Sequence, residues 1–134
     1  MLLIDTSVWI SVFRDRTNTA QAILTDLMGG QDYALSRFTQ LELLQGSRNE
    51  QEWGLLEEYL AGQIYLDTIL DDWRNAARIF YDLRRQGLTV RSTIDCCIAQ
   101  IALTHQATLV HNDRDFETIA QVRSLRQIRF QLPG

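Results

Sequence analysis

Five acidic side chains are spaced so that they can act together: Asp5, Glu42, Asp95, Asp113 and Asp115. Carboxylates gathered in one cleft repel one another, so such a cluster becomes favourable when a cation joins it. Hard oxygen donors, without paired histidines or spaced cysteines, select Mg2+ or Mn2+ over zinc or copper. The chemistry open to such a site is activation of water and neutralisation of charge on a phosphate. Each acid also has a local reading. Asp5 and Asp113 stand where they can cap the helices that follow them. Ser92-Thr93-Ile94-Asp95 matches a capping box, which would confine Asp95 to its own helix. Glu42, between Leu41 and Leu43, can simply face solvent. Joint placement favours the cluster. Ligands of an open parallel sheet bind beyond the carboxyl ends of its strands, and Asp5 and Asp113 each follow a short apolar run within a few positions. Asp95 falls in the first turn of its helix, where the macrodipole and free N–H groups favour negative charge.

These acids must be positioned by the elements around them. Residues 2–4 read as a strand ended by Asp5, followed by a helix carrying Val8, Trp9, Val12 and Phe13. A second helix spans 19–28 and is stopped by Gly29-Gly30. Residues 33–35 form a second strand, leading to a helix with Phe38, Leu41, Glu42 and Leu44 that closes at Gly46. An amphipathic helix over 49–60 carries Trp53, Leu56 and Leu60, and 64–66 reads as a short strand. The spacing of Trp73, Ala77, Phe80 and Leu83 predicts a helix over 71–86 with Gly87 as its stop, and Ile94, Cys97, Ile98 and Ile101 predict one over 92–105. A strand at 108–110, a short helix at 115–120 and a last strand at 128–132 complete the chain. Strands alternating with helices predict an α/β fold, with a short, mainly parallel central sheet flanked by helices on both faces.

Length predicts a single domain over residues 1–134. Met1-Leu2-Leu3-Ile4 is cut short by Asp5 and lacks the basic region of a signal peptide, and no apolar run reaches membrane-spanning length, so a cytoplasmic protein without a membrane partner is expected. Cys96 and Cys97 are adjacent, which suits packing in a helix better than a disulfide or a metal site. All 13 basic side chains are arginine. Lysine-based phosphate loops, Schiff-base chemistry and phosphotransfer receiver sites are thereby excluded. Guanidinium can still grip phosphate with two parallel bonds. The net charge of -4 argues against a non-specific nucleic-acid binder, so any contact with nucleic acid must be local or assisted by bound cations.

Four segments, in order and across nearly the whole chain, resemble the signature segments of PIN domains, specifically VapC toxins of bacterial toxin-antitoxin pairs. They are Ile4-Asp5-Thr6-Ser7-Val8-Trp9-Ile10, Glu42-Leu43-Leu44-Gln45-Gly46, Thr93-Ile94-Asp95-Cys96-Cys97-Ile98-Ala99 and Asn112-Asp113-Arg114-Asp115-Phe116. The resemblance implies a Mg2+- or Mn2+-dependent endoribonuclease acting on a structured RNA such as a tRNA. It implies that Asp5, Asp95, Asp113 and Asp115 bind the metal, that Glu42 completes the pocket and acts as a base, and that Thr6, Ser7 and Thr93 orient the carboxylates. It also implies a homodimer and a VapB-type antitoxin that blocks the acidic groove, in a heterotetramer or larger assembly. His111 and Asn112 stand where relatives carry hydroxyl or basic residues and receive no role; a lone imidazole without a partner reads as structural. The rival is a catalytically silent PIN-fold protein that holds RNA or a partner, although a full acid set is costly to keep in a cleft without a cation. A DNA 5' nuclease shares the acid chemistry but needs accessory helical segments that this chain lacks.

Overall fold

Leu2, Leu3 and Ile4 are all buried, because successive side chains of a strand enter opposite layers and both layers here are covered. Leu2 and Ile4 join one apolar cluster and Leu3 the other. A computed structural model describes residues 1–132. Its sheet has four parallel strands in the order β2-β1-β3-β4: β1 (Leu2–Ile4), β2 (Tyr33–Ala34), β3 (Thr108–His111) and β4 (Gln127–Arg129). The expected α/β class and parallel pairing hold. In register, Ile4 lies opposite Val110, and Val110 opposite Ile128.

One face is covered by α1 (Thr6–Arg14), α2 (Thr19–Met28), α3 (Arg37–Gln45) and α4 (Glu50–Ala61), through Val8, Trp9, Leu24, Leu43 and Leu60. The other is covered by α5 (Leu70–Arg85), α6 (Thr93–Thr104) and α7 (Arg114–Ile119), through Ile79, Leu83, Ile98, Ile101 and Phe116. Full burial of side chains of this size contributes roughly 1.5–3 kcal/mol each, before the entropy cost of ordering them. Gly87 follows α5 at φ 73°, a left-handed conformation that glycine adopts without strain.

The structure departs from the sequence reading in four places. The last strand ends at Arg129, and Leu132 lies outside it. Residues 64–66 make only a single bridge, Tyr65 opposite Leu35, with Leu66 N–H donating to Leu35 O at 2.9 Å. The buried face of α5 is Asp72, Ala76, Ile79 and Leu83, so of the expected stripe only Leu83 is fully inside, and Trp73 remains 54% exposed. Asp72 is satisfied on that buried face: its carboxylate accepts from the Ile69 N–H at 2.9 Å and from the Thr104 hydroxyl of α6 at 2.6 Å. Helix α6 lies between α5 and the sheet and buries a wide face that includes Cys96, Ala99 and Ala102, while Ile94 and Cys97 are only partly covered. Both cysteines are unpaired, as packing groups would be. No helix among the described residues is long and apolar enough to cross a membrane.

Candidate active site

The parallel pairing of β1 and β3 brings their carboxyl ends to one edge of the sheet. The Asp5 N–H donates to Val110 O at 2.9 Å, so Asp5 leaves β1 level with the end of β3. Asp5 caps α1, its Oδ2 accepting from the Ser7 N–H at 3.1 Å and the Ser7 hydroxyl at 2.6 Å. Asp113 caps α7, its Oδ1 accepting from the Asp115 N–H at 3.0 Å. Both local readings therefore hold, and they are compatible with a site because each cap engages one carboxylate oxygen.

The capping box expected for Asp95 does not form. Ser92 Oγ caps α6 by accepting from the Ile94 N–H at 3.1 Å, and among the described residues the Asp95 carboxylate accepts no hydrogen bond. Instead Asp95, Asp113 and Asp115 each present an oxygen within 4.8 Å of the other two. Glu42 projects from α3 toward α1, where Thr6 Oγ1 donates to its Oε1 at 3.0 Å; the same hydroxyl oxygen lies 3.0 Å from Thr39 Oγ1.

Electrostatics tie the five acids into one group. Burial, and then the charges of Asp113, Asp5, Asp115 and Glu42, push the Asp95 carboxyl up to about 7. Burial raises Glu42 above the usual carboxylate range, opposed by the Thr6 hydroxyl and helped by the Asp5 charge. Burial also raises Asp5, against the stabilising hydrogen bonds from Ser7. Such a group gains by taking up a cation, and an all-oxygen donor set of this kind fits Mg2+ or Mn2+.

Among the expected orienting hydroxyls, Thr6 and Ser7 touch carboxylates. Thr93 is exposed at the start of α6 and makes no hydrogen bond to any of the acids. His111 is fully buried, with Nδ1 accepting from the Asp113 N–H at 3.1 Å and Nε2 facing Gln127 Oε1 at 2.6 Å. It braces the turn that carries Asp113, which is a structural task.

Arg91 is the site residue that the sequence reading missed. Its Nη2 reaches Asp113 Oδ1 at 2.8 Å and its Nε reaches Asp115 Oδ2 at 3.1 Å. Its place directly before the N-cap Ser92, in a chain whose cations are all arginine, was the available signal. Beside Glu42 a groove of about 560 Å3 runs along α1 and α4, with Ile10, Phe13 and Leu56 as apolar wall and Arg14, Arg16 and Arg48 as charged rim.

Residues 2–122 match the PIN domain family model. The chain is 35% identical to the ribonuclease VapC11 of Mycobacterium tuberculosis, over 98% of this chain and 100% of that protein. A VapC ribonuclease of Mycobacterium bovis matches equally, at 35% identity and the same coverage. Among solved structures, VapBC2 from Rickettsia felis bound to a DNA fragment from their promoter superposes with a TM-score of 0.78 at 21% identity, covering 97% of this chain and 98% of that one. DNA-bound VapBC from Salmonella typhimurium gives a TM-score of 0.76 at 19% identity, covering 98% and 100%. These two distant structures establish likeness of fold.

Proposed function

This chain belongs to the PIN-domain family, and on that premise we propose that it is a metal-dependent endoribonuclease, the toxin of a VapBC-type pair, cutting a structured RNA such as a tRNA. The observation that carries the reading is the convergence of Asp95, Asp113 and Asp115 within 4.8 Å at the strand ends, with Asp5 and Glu42 close enough to raise the Asp95 carboxyl. The ribonuclease names of relatives aligned along nearly the whole chain give the chemistry its direction.

In this reading Asp5, Asp95, Asp113 and Asp115 would hold Mg2+ or Mn2+, and the convergence of the last three supports it. The ion supplies Lewis acidity toward water and phosphate oxygen. Glu42, raised by burial, is suited to take the proton of the attacking water as its oxygen adds to phosphorus and the ester P–O bond breaks. Thr6 and Ser7 hold Glu42 and Asp5 in the required orientations.

Partners follow from the surface. The groove beside Glu42 suits an antitoxin segment whose apolar side chains fill it and whose arginine pairs with the acids, since guanidinium meets carboxylate through two directed bonds. The solved neighbours are VapBC complexes, which supports a VapB-type partner for this chain. A second apolar patch, with Leu41 58% and Trp73 54% exposed around a cavity of about 250 Å3, suits a homodimer contact.

The deciding experiment incubates the purified chain with total RNA in Mg2+, in Mn2+ and in EDTA. Cleavage with either ion that stops in EDTA is expected. Cleavage that persists in EDTA refutes the metal mechanism, and no cleavage under any condition favours a silent binding protein.

A further inference from the structure

We propose that Arg91 is the site's own exchangeable cation: it neutralises Asp113 and Asp115 in the metal-free protein, yields them to a divalent ion, and then turns to a phosphate of the RNA. This rests on the reading above of the acidic group as a metal-dependent nuclease site. The guanidinium meets Asp113 at 2.8 Å and Asp115 at 3.1 Å. Those two carboxylates belong to the convergent group with Asp95, so guanidinium and metal draw on the same pair of acids.

The geometry permits the exchange. Arg91 is 73% exposed while the Asp115 side chain is 8% exposed, which puts the arginine at the mouth of the site, between the acids and solvent. An ion pair this exposed is screened and weak. A divalent ion bound by carboxylates displaces it.

Departure of the guanidinium leaves the pocket intact. The backbone N–H of Arg91 donates to Asp115 Oδ2 at 3.1 Å, and the Asp115 N–H donates to Asp113 Oδ1 at 3.0 Å. The carboxylates thus keep their places whichever way the arginine side chain points. RNA approaching five acids in a chain of net charge -4 meets repulsion, and a local cation at the mouth offsets it. The planar fork of arginine matches phosphate in the way it matches carboxylate.

The test compares the native chain with Arg91→Gln and Arg91→Lys. Mn2+ binding is read without RNA from the paramagnetic resonance of free Mn2+, and KM and kcat for RNA are read at saturating Mg2+. Melting in EDTA verifies that each variant is folded. Arg91→Gln is expected to bind Mn2+ about threefold tighter, because the competing cation is gone. Its KM for RNA is expected to rise by about tenfold with a smaller change in kcat. Arg91→Lys, a point charge without the fork, falls between. Unchanged or weaker Mn2+ binding in a folded Arg91→Gln overturns the exchange, and an unmoved KM overturns the phosphate contact. A native chain that binds no Mn2+ removes the nuclease reading and this proposal together; native binding that Arg91→Gln fails to tighten removes this proposal alone.

Discussion

Ser7 holds Asp5 through its hydroxyl, which donates to the Asp5 carboxylate at 2.6 Å. The same oxygen accepts the backbone N–H of Asn112 at 2.8 Å, so the acid after β1 is tied to the turn that leads from β3 into Asp113. One hydroxyl thereby adds a side-chain tie to the backbone bond from the Asp5 N–H to Val110 O. Ser7→Ala removes a donor to a buried carboxylate and leaves the Asn112 N–H without its partner. The expected loss of stability is about 1.5–3 kcal/mol, the scale for hydrogen bonds to charged groups. RNA cleavage should fall by about tenfold, consistent with carboxylates held less firmly. Urea unfolding and cleavage rates measure the two effects, and a variant with native midpoint and native activity would show that the tie is idle.

Asp95 gives a prediction in pH. Burial first, and then Asp113, Asp5, Asp115 and Glu42, place its carboxyl at about 7 against an ordinary value of 3.8. A carboxyl raised in the folded state binds its proton more tightly there than in the unfolded chain. Its contribution to stability is therefore full below about pH 4 and is lost as the pH rises through about 7. In EDTA the native chain should melt progressively lower from pH 4.5 to pH 7.5. Asp95→Asn removes one charge from the repulsive group, so it should flatten that dependence and raise the pH 7.5 melting temperature by roughly 3–8 °C. It should also abolish cleavage, since the amide is a poorer metal ligand. Calorimetry across the pH range checks the first outcome; an Asp95→Asn that melts no higher than the native chain at pH 7.5 contradicts the repulsion.

The groove beside Glu42 yields a prediction that separates partner binding from catalysis. Ile10 is 36% exposed on its apolar wall and makes no part of the acidic group. Ile10→Arg should weaken antitoxin binding by about tenfold or more, because a charge replaces an apolar contact in the wall of the groove. RNA cleavage by the isolated variant should fall less than antitoxin affinity does, because Ile10 makes no hydrogen bond or ion pair with the five acids. Co-expression with a VapB-type antitoxin that neutralises the native chain then no longer restores growth. Equal antitoxin affinity in native and Ile10→Arg chains would place the antitoxin elsewhere.

Much of the site was legible because its acids sit at local punctuation marks. Asp5 ends an apolar strand and opens a helix, and Asp113 does the same after β3. Those transitions depend on residues within a few positions of each acid, which is the range over which a sequence pattern speaks. The strands were visible for a related reason. Leu2–Ile4 and Leu109–Val110 are buried on both faces and read as continuous apolar runs. The edges were less clear: β4 spans Gln127–Arg129, with one further bond from the Phe130 N–H to His111 O, where the sequence suggests a strand to Leu132, and 64–66 make one bridge at Tyr65.

By itself the sequence determined an α/β chain whose acids punctuate its strand ends, whose cations are all arginine, and whose oxygen donors favour a hard divalent ion. Tertiary structure decided which of those groups meet. Arg91 lies 22 residues from Asp113 and 24 from Asp115, and nothing in the spacing specifies that its guanidinium spans both. Asp72 finds Thr104 across 32 residues, on a buried face of α5 other than the one its apolar spacing suggested. Asp95 had a complete local capping pattern and left it unused. The physical reason is common to all three. Local pattern sets what a short segment can form, whereas the partners of a polar side chain depend on which helices the two apolar layers bring alongside it. A buried carboxylate takes the donor that packing supplies.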